Sequence, residues 1–177
     1  MEIFEFLKKN KSEIVEQWRQ AIIDTYPKDA GKFLLDKEDR FANPIGYFIR
    51  TEIPVIYDEI INQMDEAILR DSLATILKIR AVQEFTTSEA TGFIYFLKAI
   101  IQNQYSPHLN NNTIKEFLKF EKRIDKISSI IFDIFLDMKT KIIEIKFNEV
   151  KKRNHRMIER LSRKYDLMDG YLDDNNN

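Results

Sequence analysis

The stretch that decides the fold runs from Thr113 to Tyr165 and reads TIKEFLKFEKRIDKISSIIFDIFLDMKTKIIEIKFNEVKKRNHRMIERLSRKY. It contains neither glycine nor proline, the residues that most often interrupt helices. We therefore predict one helix about 80 Å long, at a rise of roughly 1.5 Å per residue. Such a helix is longer than a domain of this size is wide, so we expect it to project from a bundle.

The apolar residues of this stretch change their spacing near its middle. In the first half, steps of four and three, which are typical of coiled coils, connect Phe120, Ile124, Ile127, Ile131, Ile134 and Met138. This stripe is widened, as expected for burial inside a bundle, by Ile130, Phe135, Ile142, Ile143 and Ile145. Beyond Phe147 a narrower stripe predicts a dimer or partner interface formed by Val150, Asn154, Met157, Leu161 and Tyr165. Asn154 is expected to fix its register.

The charges divide along the same line. Net charge is −1 overall, but the segment from Lys139 to Lys164 is strongly basic. Only Glu144, Glu149 and Glu159 oppose its Lys139, Lys141, Lys146, Lys151, Lys152, Arg153, Arg156, Arg160, Arg163 and Lys164. We predict a helical sensory bundle over residues 1–138, a projecting basic signalling helix over 139–168 and a disordered tail over 169–177.

The rest of the chain also favours helices. Hydrophobic residues make up 44% of the 177 residues, with only four glycines and four prolines. This composition predicts an all-α fold, a bundle of five or six helices with a long C-terminal helix. We place the upstream helices at about 2–9, 12–26, 43–62, 65–83 and 86–105, with Ser12 and Asn43 as N-caps and a capping box from Thr86 to Glu89.

The sequence gives no sign of secretion or membrane insertion. It has no cysteine, so disulfides and Cys-ligated metals are excluded. The N-terminus lacks a signal core, and no run approaches the roughly 18 uncharged apolar residues of a membrane span. We predict a soluble cytoplasmic protein.

Two pairs of polar residues are candidates for ligand binding. Arg40 and Asn43 precede a helix start, where an anion could meet free N–H groups, although Asn43 could simply cap the helix and Arg40 pair with an acid. Arg80 and Gln83 lie at a helix end near Phe85. They could enter a pocket, or they could bond carbonyls there.

Aromatic residues offer the walls of a pocket. They comprise Trp18, Tyr26, Phe33, Phe41, Tyr47, Phe48, Phe93, Tyr95 and Phe96. Aromatic residues at helical spacing more often belong to a core, so we retain only Trp18 and Tyr26 as predicted ligand contacts.

Cofactor chemistry and catalysis have little support. Of the two histidines, His108 lies in a loop and His155 on the basic helix, so neither haem nor metal is expected. No nucleophile motif or phosphate loop is present, and the basic segment lacks the aromatic residues of nucleic-acid binders. We predict a non-enzyme without a cofactor.

Several further segments form a recognisable set: DRFANPIG at 39–46, IRAVQEF at 79–85, TSEA at 87–90, FEKRID at 120–125 and NEVK at 148–151, after Trp18 and the TYP at 25–27. In this order they resemble the N-terminal domain of RsbRD-type RsbT co-antagonist proteins. The likeness spans about residues 12–155.

This resemblance implies a globin-like sensory domain, often without haem, in a bacterial stress- or redox-type signalling system. The relatives continue into a STAS domain, which is not found here, so we expect a stand-alone sensor or a regulator acting in trans. It would bind a small molecule or protein and transmit through a dimerising C-terminal helix. The alternative is a structural accessory protein that docks on a partner complex through that basic helix.

Overall fold

The fold is all-α, as the sequence predicts. The computed structural model describes residues 1–27, 30, 31, 33, 34, 41–83 and 85–173, with side chains to Tyr165. No strand occurs among these residues. The chain divides into two compact units, Met1–Met138 and Lys139–Asn177.

The helices follow the predicted order with one more break. They are α1 (Ile3–Lys9), α2 (Lys11–Ile23), α3 (Pro44–Ile61), α4 (Glu66–Val82), α5 (Thr87–Thr91), α6 (Phe93–Tyr105), a 3-10 turn (Ser106–His108) and α7 (Ile114–Asp173). The helix predicted over 86–105 is two helices, because the helix is interrupted at Gly92. α7 is helical into the tail predicted from residue 169, and residues 174–177 lie outside the described range.

The helix starts show which side chains fix the boundaries. Thr86 and Glu89 form the predicted capping box at α5, each side chain bonding the other's backbone N–H. The prediction of Ser12 as the cap of α2 is wrong, because the N-cap is Asn10. The Asn10 amide donates to the Phe6 carbonyl at 2.8 Å. This bond caps the end of α1 at Asn10, and α2 begins at the next residue.

The first unit buries its apolar residues between helices α2, α3, α4, α6 and the start of α7. Trp18, Tyr57, Phe93 and Phe120 are fully buried there. The Tyr57 hydroxyl donates to the Leu7 carbonyl at 2.9 Å, which ties α3 to α1. The first half of the α7 stripe is buried as predicted at Phe120, Ile124, Ile127 and Ile131.

The second unit exposes its apolar residues. The wide stripe predicted for burial ends early, because Ile143 and Ile145 are 64% and 59% exposed. Within the described part of this unit, the helix has no second layer to cover them. The predicted interface residues that follow, from Val150 to Tyr165, are exposed for the same reason.

Candidate functional site

Asn43 is a structural cap. Its side-chain oxygen accepts from Gly46 N at 2.8 Å, and its amide donates to the carbonyls of Phe33 and Leu34 at 3.1 and 2.9 Å. It is fully buried. This is the capping role that the sequence left open for Asn43, and a ligand contact at this residue stays a prediction. Arg40, predicted beside it, lies outside the described residues.

Trp18 is also committed to the interior. Its ring is fully buried and stacks on Phe93 at a centroid distance of 6.3 Å. Its indole N–H donates to the Phe93 carbonyl at 2.7 Å. The indole N–H is thus already bonded within the protein, and a ligand contact at Trp18 stays a prediction.

The other aromatic candidates do not form one cavity. Phe41 is 93% exposed and Tyr95 is also exposed. Tyr26 is the exception, since it is buried and its ring meets Phe85 edge-on at 5.2 Å. Burial raises the pKa of the Tyr26 hydroxyl, and the positive charge of Arg80 offsets part of that increase.

Arg80 is the most unusual polar residue of the first unit. Its side chain is only 1% exposed although it lies in the last turn of α4. Its Nη2 donates to Thr25 Oγ1 at 3.2 Å and to the Glu89 carbonyl at 2.9 Å. These bonds join Thr25, which follows α2, to α5. Arg80 therefore bonds a carbonyl of the next helix, whereas the sequence pointed to carbonyls at the end of its own helix.

The same guanidinium is only partly satisfied. Its Nε and Nη1 are buried and have no hydrogen-bond partner among the described residues. Its carbon Cζ lies 4.2 Å from the centre of the Phe85 ring and 5.5 Å from that of Tyr26. Burial lowers the pKa of Arg80, and Tyr26 and Glu89 offset part of that decrease.

A small cavity adjoins this group. It has a volume of about 270 Å³ and is lined by Tyr26, Pro27, Gln83 and Phe85. The Gln83 oxygen Oε1 is buried without a partner. The predicted residues Tyr26, Arg80 and Gln83 thus come together. Sequence reasoning did not select Phe85 as a ligand contact, although it lies two residues after Gln83.

A second candidate site is a stripe on the second unit. It consists of the exposed residues Ile143, Phe147, Val150, Asn154, Met157, Leu161 and Tyr165, here called the C-terminal stripe. At roughly 100° per residue these positions cover about 80° of the helix circumference. The stripe begins earlier than predicted, because Ile143 and Phe147 are exposed and lie on the same face.

Basic residues border the C-terminal stripe on one side. Lys146, Arg153 and Arg160 recur every seven residues, each directly before a stripe residue. The other side is mixed and includes Glu144 and Lys151. The stripe is therefore an apolar face with a cationic margin.

The described residues hold no group of three or more His, Asp or Glu side chains that could bind a metal. His108 packs against the rings of Phe6 and Tyr105, at 5.5 and 5.6 Å. His155 lies 3.3 Å from the Glu159 carboxylate. Among the helices that the structure describes, none combines the length and apolarity that crossing a membrane requires.

Comparison with known proteins finds no relative. No protein family matches the chain, nor does any curated protein or solved structure. The resemblance to RsbRD-type domains therefore stays a prediction.

Proposed function

We propose that this chain is a non-catalytic regulatory domain whose second unit transmits by pairing with another helix. The observation that carries this proposal is the exposure of the C-terminal stripe over its whole length, from Ile143 to Tyr165. Burying apolar surface away from water is favourable by about 25 cal/mol of free energy per Å². A contiguous apolar stripe on a helix therefore favours a partner.

A second copy of the chain is the partner that the spacing supports. The stripe runs at steps of four and three through Leu161, the pattern of paired helices that pack side chain into hole. Asn154 lies at a central position of that stripe. A single asparagine at such a position favours in-register pairing with its own equivalent, because the two amides can bond each other.

The test is the self-association of Leu161→Asp, measured by sedimentation equilibrium on the full chain. The change removes an apolar contact from both helices and places a charge in the interface. We expect a dimer at least about 100-fold weaker, since each 1.4 kcal/mol is a tenfold change. Asn148→Asp is the matched control, because it makes the same charge change on another face of the helix. Equal dimer constants for the two variants would refute the proposal.

An acidic protein helix is the second candidate partner, and the charge of the segment favours it. Residues 139–164 carry ten basic and three acidic side chains. Two such helices repel each other, and salt screens the repulsion. Self-pairing should therefore strengthen with added salt, whereas binding to an acidic helix should weaken.

The probe for the second candidate is a designed heptad peptide with leucine at its apolar positions and glutamate beside them. A chain that stays monomeric from low to high salt, and binds this peptide more weakly as salt rises, identifies an acidic partner. Leu161→Asp should weaken that complex and Asn148→Asp should not. This result would support the accessory-protein alternative.

A further inference from the structure

Arg80 has no carboxylate partner among the described residues. None of the described ion pairs includes its side chain, and Glu89 offers it a backbone carbonyl. The Glu89 carboxylate instead bonds the N–H and hydroxyl of Thr86. A buried cation without an opposite charge is costly and calls for an explanation.

The contacts that Arg80 does make compensate it only in part. The Phe85 and Tyr26 rings supply cation–π attraction, which is weaker than an ion pair with matched hydrogen bonds. The Tyr26 hydroxyl also interacts with the guanidinium, but Nε and Nη1 have no hydrogen-bond partner within 3.5 Å among the described residues. Both atoms are donors, so the missing group must accept hydrogen bonds, and a negative charge would suit it.

Two residues connect the guanidinium to a space for such a group. Phe85 and Tyr26 line the small cavity and also contact Arg80. With Pro27 they form an apolar wall, and Gln83 adds an unpartnered oxygen. A volume of about 270 Å³ suits a molecule of about ten heavy atoms, below the usual range of drug-sized sites.

We propose that this cavity and Arg80 form a binding site for a small organic carboxylate with an apolar body. The carboxylate bonds the free donors of Arg80 after a side-chain rotation moves the Phe85 ring off the guanidinium. The apolar body lies against Tyr26 and Pro27. The Gln83 side chain bonds a polar substituent where the ligand has one.

This inference names the input of the proposed regulatory domain and rests on that proposal for its biological role. Binding does not require helix pairing, because the proposed contacts lie wholly within the first unit. Leu161→Asp should therefore still bind benzoate, and any change in affinity measures the coupling between binding and pairing. A failure of pairing and a failure of binding are therefore separate results.

The test is calorimetric titration of the full chain with benzoate, benzamide and inorganic phosphate. Benzoate and benzamide share size and ring, so their difference reports the charge. We expect benzoate to bind at least about tenfold more tightly than benzamide, as charge-assisted hydrogen bonds imply. Phosphate has no apolar body and should bind more weakly than benzoate.

Arg80→Met keeps the length of the side chain and removes its charge. It should reduce benzoate affinity to that of benzamide and leave benzamide binding unchanged. Arg70→Met is the control, because Arg70 pairs with Glu66 on the exposed face of the same helix. It should alter neither affinity.

Amide chemical shifts of the unmodified protein provide a second measurement that needs no variant to fold. Benzoate should shift the amides of Tyr26, Gln83 and Phe85, and benzamide should shift them much less. Equal binding of benzoate and benzamide, or shifts confined to other residues, would overturn the proposal. Phosphate that binds as tightly as benzoate would also overturn it, in favour of an inorganic-anion site.

Discussion

Asn43 provides the sharpest test of how this fold is held, because its amide bonds two segments at once. Asn43→Ala removes the N-cap of α3 and both donors to the Phe33 and Leu34 carbonyls. Asn43→Asp keeps the oxygen that accepts from Gly46 N, but it removes the donors and adds a buried carboxylate that faces the two carbonyls. Asn43→Asp therefore disrupts the tie to residues 33 and 34 while it keeps the cap.

The expected losses follow from these bonds. A lost N-cap costs about 1–2 kcal/mol, and each carbonyl that loses its donor adds about 1 kcal/mol. Asn43→Ala should thus lower the free energy of unfolding by about 3–4 kcal/mol, and Asn43→Asp by at least about 2 kcal/mol, because its buried charge adds to the lost bonds. The segments are also closely packed here, since a Cβ on Gly46 would overlap the Leu34 carbonyl and the Asn43 amide.

The assay is urea unfolding followed by circular dichroism, with thermal melts in parallel. For a chain of this size 1 kcal/mol corresponds to about 2–4 °C, so Asn43→Ala should melt roughly 10 °C lower. Benzoate affinity should be unchanged in Asn43→Asp, because Asn43 is not among the proposed benzoate contacts. A loss below 1 kcal/mol in Asn43→Ala would contradict this assignment.

Two further predictions concern buried hydrogen bonds of the first unit. Trp18→Phe should lower the free energy of unfolding by about 1–3 kcal/mol in urea, because the Phe93 carbonyl loses its buried donor; an unchanged midpoint would argue against that bond. Burial, and secondarily the charge of Asp58, raise the pKa of Tyr57. The stability that protonated Tyr57 contributes is therefore complete below the pKa of about 10 that tyrosine has in the unfolded chain, and it is lost as the pH rises above that value. Tyr57→Phe should cost about 1 kcal/mol at pH 7 and should flatten the decline of stability above pH 10, and an identical decline in both proteins would contradict this.

Local chemistry explains why much of the fold could be predicted from sequence. Asn43 with Pro44, and Thr86 with Glu89, determine helix starts through bonds within one turn. Gly92 and Ser12 show the limit of such reasoning. A lone glycine is often tolerated within a helix, and the position of Ser12 depends on how α1 ends.

The candidate ligand site could be predicted only in part, because its residues meet through tertiary packing. Arg80 and Gln83 stand out as polar residues at an apolar helix end, and Tyr26 precedes a proline. Their meeting with Phe85 depends on how the end of α2 packs beside the end of α4. Asn43 and Trp18 looked equally suitable in sequence, yet their polar atoms are used by backbone partners that sequence does not reveal.

The two halves of the α7 stripe show why spacing alone cannot predict burial. Phe120 to Ile131 and Val150 to Leu161 follow the same steps of four and three. The first set is buried because helices of the first unit cover it, whereas the second set is exposed. Hydrophobic spacing predicts which face of a helix favours a partner. It does not predict whether that partner is another helix of the same unit or a different chain. For the second set, the neighbouring cations favour an acidic helix as the partner, whereas Asn154 favours a second copy of the chain. The salt dependence of binding measures which of these two preferences dominates.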